Sequence, residues 1–135
     1  MSFNVRWEKD IYAEGRQLNR YPHHTVVSHV MRFGATQPDR AQIKILDIGC
    51  GAGNNLVFIA NAGFQAFGID GSASAIACAQ QRLEHAHLSA DARIGDFADL
   101  PLPDDFFDLV IDRCALSHNR RATIESTLDE IKRTL

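Results

Sequence analysis

Cysteine is scarce in this chain of 135 residues: Cys50, Cys78 and Cys114, odd in number and widely spaced. That excludes a closed disulfide framework and leaves no cluster for a structural zinc site. The three read as free thiols in a reducing cytoplasm, with Cys114 a simple buried thiol. A block of basic charge is also missing, and the formal net charge is -3. Strong electrostatic binding to nucleic acid is therefore not expected. Nor is there a long apolar run. Residues 1–10, MSFNVRWEKD, lack the apolar core of a signal peptide, and no segment is long enough to span a membrane. The expected location is cytoplasmic, with no membrane partner. His85 and His87 lie two apart, on different sides of a helix, so no metal is expected. Repeats and low-complexity tracts are absent. A chain of this length buries one core, so residues 1–135 are expected to form one domain.

What is present is an alternation of strands and helices. Residues 1–22 are polar and aromatic without a clear period and suggest an arm or cap. Over 23–33, Val26, Val27, Val30, Met31 and Phe33 recur at helical spacing, with Gly34 ending that helix. A strand is predicted at Lys44–Ile48 and a helix at Asn54–Asn61, capped by Gly63. A second strand follows at 65–69. Ser72 is a good N-cap for a helix to about residue 85, whose stripe is Ile76, Ala79 and Leu83. Short strands follow at 92–94 and 107–111. A last helix at 123–135 carries Ile124, Leu128, Ile131 and Leu135 on one face. Alternating strands and helices imply parallel strands with right-handed crossovers.

The most informative stretch is Ile45-Leu46-Asp47-Ile48-Gly49-Cys50-Gly51-Ala52-Gly53-Asn54-Asn55. An apolar strand meets a carboxylate, then three alternate glycines, then a helix. Gly68-Ile69-Asp70 follows, a second strand that ends in a carboxylate. A doubly wound sheet binds an adenosine-bearing cofactor in this way. Glycines let the main chain turn and approach the ligand closely. The helix start points free N–H groups at an anion. Asp70 is placed to accept both ribose hydroxyls. The nicotinamide fingerprint Gly-x-Gly-x-x-Gly fits poorly: the third glycine, Gly53, is one position early, and Asn54 holds the sixth place. Asp47 would repel a pyrophosphate but suits a ligand with an ammonium and a sulfonium.

Residues 45–53 closely resemble motif I of the class I S-adenosylmethionine-dependent methyltransferases. Gly68-Ile69-Asp70-Gly71-Ser72 is similar to motif II. Gly95-Asp96-Phe97-Ala98-Asp99-Leu100-Pro101-Leu102-Pro103 is similar to the family's turn after strand 3, where an acidic side chain meets the adenine amino group. The resemblance covers roughly residues 43–135. It implies an α/β, doubly wound, mostly parallel Rossmann-like sheet of order 3-2-1-4, with residues 1–40 as arm and cap helix and 41–135 as core. It implies S-adenosylmethionine as cofactor, with S-adenosylhomocysteine as product. Cofactor contacts are expected from Asp47, Gly49, Cys50, Gly51, Gly53 and Asn54, from Asp70, Gly71 and Ser72, from Asp96 and Phe97, and from Asp112. Asp112, Arg113 and His118 follow strand 4, on the family's acceptor side. No residue is compelled to be a general base; His118, His23 and Asp112 are the candidates. Residues 20–23, with Trp7 and Tyr12, resemble the lid of small-molecule members. Trp7, Tyr12 and Tyr21 read either as packing residues or as a cation–π cover for the sulfonium.

The family continues after its last helix here with a Pro-Gly-Gly turn, strand 5 and a C-terminal hairpin, none of which this chain contains. The sheet is therefore expected to be incomplete on its C-terminal side. Its fourth strand would be an edge, and a homodimer is expected. The acceptor is expected to be a small molecule, because 112–115 lacks the motif of DNA amino-methylases. Two other readings stay open: a non-catalytic S-adenosylmethionine-binding module and a nicotinamide-binding fragment.

Overall fold

The computed structural model describes residues 2–16 and 18–135. Four strands form one parallel sheet: β1 (Lys44–Ile48), β2 (Gln65–Asp70), β3 (Asp91–Ile94) and β4 (Leu109–Asp112). Their order is β3-β2-β1-β4, the order that the resemblance implies. Ile48 is level with Ile69 on one side and Asp112 on the other. The carboxyl ends of the three strands thus lie side by side.

Helices α1 (His24–Ala35), α2 (Asn54–Asn61) and α3 (Ala73–His85) supply the core of one sheet face; α4 (Arg121–Thr134) packs on the other. Ile45 of β1 joins Val30, Leu56, Ile59 and Ile76 in the first cluster. Leu46 and Ile48 join Ile69, Phe97 and Phe107 in the second. A strand covered on both faces needs a continuous apolar run, and β1 has one, broken only by Asp47. Leu56 and Ile59 are fully buried, each worth about 1.5–3 kcal/mol of transfer free energy.

Local signals set the bounds of α2 and α3. Ala62 is the C-cap residue of α2, and Gly63 follows it at φ +91°. The Gly63 and Phe64 N–H groups then reach the Ala60 and Ile59 carbonyls. This is a Schellman turn, and the left-handed residue it needs is the glycine. Ser72 Oγ accepts the Ala75 N–H at 3.0 Å and caps α3. Ile76, Ala79 and Leu83 are buried as expected.

Several expectations are corrected. Gly34 does not end α1, which runs on to Ala35. A Cβ on Gly34 would overlap the Phe64 ring, so this glycine serves close packing. β3 begins at Asp91 and β4 at Leu109. Phe106 and Phe107 precede β4 and pack edge-to-face on each other and on Phe67. The stripe expected on the last helix is displaced. Leu128 is 51% exposed and Leu135 50%, whereas Thr127 and Thr134 are fully buried. Thr127 Oγ1 donates to the Thr123 carbonyl at 2.7 Å, and Thr134 Oγ1 to that of Glu130 at 2.9 Å. Back-bonding satisfies each hydroxyl, so burial leaves no orphaned polar group.

The arm is also more ordered than its composition suggests. Trp7–Tyr12 forms a π-helical turn. Three-residue 3₁₀ turns occur at Arg40–Gln42 and Leu116–His118. Among the described residues no helix is long and apolar enough to cross a membrane.

Candidate cofactor site

β1 delivers the chain into a loop that folds back over the end of β2. The Gly49 and Cys50 N–H groups both donate to the Ile69 carbonyl, at 2.8 and 3.1 Å. Gly51 follows at φ +52° and Gly53 at φ +80°. A Cβ on Gly53 would stand 2.7 Å from Ala79 Cβ, so glycine here lets the start of α2 touch α3. A Cβ on Gly51 would stand 2.5 Å from the Tyr12 hydroxyl. Asp70, at the end of β2, accepts the Gly51 N–H through Oδ2 and the Ser72 N–H through Oδ1, both at 2.9 Å. Its carboxylate is thereby fixed, and each oxygen keeps a free lone pair for a further donor.

Above these strand ends lies a cavity of about 470 Å³. Gly49, Cys50, Gly51, Asn54, Asp70, Phe97, His23 and His118 line it, all of them residues named from the sequence. The other named residues lie around it. Asp47 is buried beneath the loop, with 1% of its surface exposed. Gly53 is turned toward α3, and Gly71 is covered by the Phe3 ring. Ser72 caps α3. Asp96 accepts the N–H and the hydroxyl of Ser2. Asp112 Oδ1 accepts the Ala115 and Leu116 N–H groups at 3.0 and 3.1 Å, holding the turn that carries His118.

Cys114 is not a buried thiol. It is exposed, lines the cavity at φ +66°, and receives a hydrogen bond from the Arg113 guanidinium. All three cysteines are free. Tyr21 is 76% exposed and lies outside the cavity lining. Trp7 and Tyr12 do line it, and the Trp7 ring meets the His118 ring edge-on at 5.1 Å. Sequence reasoning misses Asn55. It is buried, lines the cavity, and accepts the His23 N–H at 3.3 Å. The doubled asparagine at the start of α2 is its only signal.

Burial sets the electrostatics. It pushes the Asp47 carboxyl up to about 8, against a hydrogen bond from Asn55 and with help from Asp112 and Asp70. Among the described residues Asp47 Oδ2 has no hydrogen-bond partner. Burial also raises Asp70, opposed by the Ser72 and Gly51 amides. Burial and then the Asp70 charge push the Tyr12 phenol up. Partial desolvation, then Arg113 and His24, hold the His23 imidazole below its ordinary range.

Comparison with known proteins agrees with this geometry. The family model described as a methyltransferase domain matches residues 45–135. A ubiquinone biosynthesis O-methyltransferase of Nitrobacter winogradskyi is 38% identical over 78 residues, covering 58% of this chain and 30% of the relative. A norajmaline N-methyltransferase of Rauvolfia serpentina is 35% identical over 101 residues, covering 69% of this chain and 34% of the relative. Among solved structures, a magnesium protoporphyrin IX methyltransferase of Synechocystis, determined with bound S-adenosylmethionine, superposes with a TM-score of 0.74 at 20% identity, covering 93% of this chain and 66% of that one. The chain spans about 30% of the length of the first of these curated relatives. It belongs to the methyltransferase-domain family, with the Rossmann-like class I fold.

Proposed function

We propose that the chain is a single S-adenosylmethionine-binding unit and that the protein transfers the methyl group to a small-molecule acceptor. The observation that carries this reading is the pair of buried carboxylates, Asp47 and Asp70, on either side of the glycine loop. Among the described residues Asp47 Oδ2 is a buried acceptor without a donor, and an ammonium group supplies one. Asp70 keeps lone pairs for two ribose hydroxyls. Gly51 leaves room for the ligand where a side chain would fill the cradle. When bound, S-adenosylmethionine supplies a methyl group on a sulfonium, a good leaving group displaced in line. The protein's part is then to orient the acceptor and to exclude water. Trp7, Tyr12 and Phe97 provide apolar walls for this. His23, whose imidazole is shifted toward the neutral form, and His118 are the proposed proton acceptors for a hydroxyl or ammonium substrate. Asp112 is assigned to positioning, since its carboxylate is engaged by two loop amides.

Calorimetric titration with S-adenosylhomocysteine and with NAD tests the ligand class. Tight binding of NAD alone would refute the reading. Asp70→Ala gives a sharper result. Each charge-assisted bond contributes roughly 1.5–3 kcal/mol, so S-adenosylhomocysteine should bind at least about tenfold more weakly. An unchanged dissociation constant in the folded variant would sink the assignment. A turnover screen on the longest natural form of the chain separates an enzyme from a binding module.

We also propose that the chain self-associates. Among the described residues β4 pairs with β1 alone, and its outer edge carries Leu109, Val110 and Ile111, each partly exposed. Unpaired apolar edges invite pairing with another chain. Sedimentation velocity at micromolar concentration should show a dimer. A clean monomer would show that the edge is tolerated.

A further inference from the structure

We infer that residues 2–12 form a self-strap whose tip occupies the nucleoside corner of the cofactor site and competes with the cofactor for it. The inference rests on the proposed cofactor reading and adds a device that gates it. Asp96, the residue which the resemblance assigns to the adenine amino group, is already engaged. The Ser2 N–H donates to its Oδ2 and the Ser2 hydroxyl to its Oδ1. The Ala98 N–H donates to Oδ1 as well, at 3.0 Å. Beside this pair the Phe3 ring lies so close over Gly71 that a Cβ there would overlap it. A flat ring next to a donor pair on Asp96 reproduces the chemistry that a purine with its exocyclic amine presents.

The strap has its own anchor, separate from its tip. Glu8 Oε1 accepts the Ser74 hydroxyl at 2.6 Å, and Oε2 accepts the Ser74 N–H at 3.1 Å and the Ser72 hydroxyl. A carboxylate on the first turn of α3 is favourable for the helix dipole. Farther along, Trp7 packs on His118 and Tyr12 reaches Gly51. The strap therefore touches the loop after β1, the start of α3, the turn after β3 and the turn after β4. The tip must leave Asp96 and Gly71 before a nucleoside can take that corner, while the Glu8 anchor can stay. Apparent affinity is then reduced by the fraction of chains whose tip is open.

Trp7 is the single tryptophan of the chain, so its fluorescence reports the strap directly. The test compares S-adenosylhomocysteine binding to the whole chain and to a variant carrying Ser2→Gly and Phe3→Gly, which lacks the tip hydroxyl and ring. Calorimetry should show the variant binding at least about fivefold tighter, as expected when a competing state is removed. Trp7 emission of the unmodified chain should shift on adding the ligand, and Glu8→Gln should shift it without ligand. Equal affinities with unchanged emission would overturn the strap and leave the cofactor site intact. Weaker binding by the variant would also overturn it, making the segment a lid that adds contacts. Binding by neither form would refute the cofactor reading itself.

Discussion

Asp47→Asn should make the ligand-free protein more stable and its cofactor site worse. Asp47 sits on the same face of β1 as Ile45, buried beneath the glycine loop. Its ordinary value is 3.8, and burial raises it to about 8 in the folded chain. Between those values the unfolded chain has released the proton and the folded chain still holds it. The unfolded state binds fewer protons there, so stability falls as pH rises across this window and levels off above it. Each tenfold change in proton affinity is worth about 1.4 kcal/mol, so the burden near pH 8 is on the order of several kcal/mol. Asparagine has a similar shape and no proton to lose. The variant should gain a few kcal/mol at about pH 8, little at about pH 4, and should lose the slope between. Urea unfolding across that range measures both quantities. An identical slope in the variant would mean that Asp47 is not the group responsible. S-adenosylhomocysteine should meanwhile bind about tenfold or more weakly, through loss of a charge-assisted bond to the ammonium. A variant that is stabilised and binds equally well would reduce Asp47 to an acceptor for loop amides. If both effects appear, this carboxylate is kept for its ligand at the expense of the fold.

The parts of this fold that are legible in the sequence are those written locally. The apolar run of β1, the alternate glycines, the bounds of α2 and the Ser72 cap each depend on a few consecutive residues. Parallel pairing then follows from the alternation of strands and helices, and strand order from the resemblance. What escapes depends on distant partners. Trp7–Tyr12 has no helical stripe, and it takes shape where Glu8 meets Ser72 and Ser74, residues far away in the chain. Hydropathy misplaces the buried face of α4 because it ranks Leu128 above Thr127. It does not register that a threonine can bond its own helix. The position of Cys114 after an apolar strand suggests burial. The left-handed turn that exposes it carries no glycine to announce it. Of the named site residues, those in the glycine loop and at the end of β2 meet around one cavity. Asp96 instead binds the N–H and hydroxyl of Ser2, far away in the chain, a pairing that spacing alone does not reveal, while Asp112 holds two amides of the turn that follows it.

Gly51→Val should abolish S-adenosylhomocysteine binding while leaving the α/β circular dichroism in place. Two separate penalties meet at this position. The backbone is left-handed, at φ +52°, which costs a β-branched residue on the order of 1–3 kcal/mol. In addition, a Cβ would stand 2.5 Å from the Tyr12 hydroxyl, so the tyrosine must move or the loop must shift. Tyr12 belongs to the arm, whose turn can yield without disturbing the sheet. The Gly51 N–H is held by Asp70 at 2.9 Å, so a shifted loop also releases the carboxylate proposed to hold the ribose. The ligand thus loses its space and its anchor together. Gly53 provides the contrast. A Cβ there would meet the Cα and Cβ of Ala79 inside α3, at 3.0 and 2.7 Å. That backbone cannot yield locally, so Gly53→Val should unfold the protein or lower its melting temperature sharply. The difference between the two variants is the test: binding lost with the fold kept at residue 51, and the fold itself damaged at residue 53. If Gly51→Val binds the ligand normally, the loop is not the cofactor cradle. If both variants unfold alike, the loop serves packing at both positions.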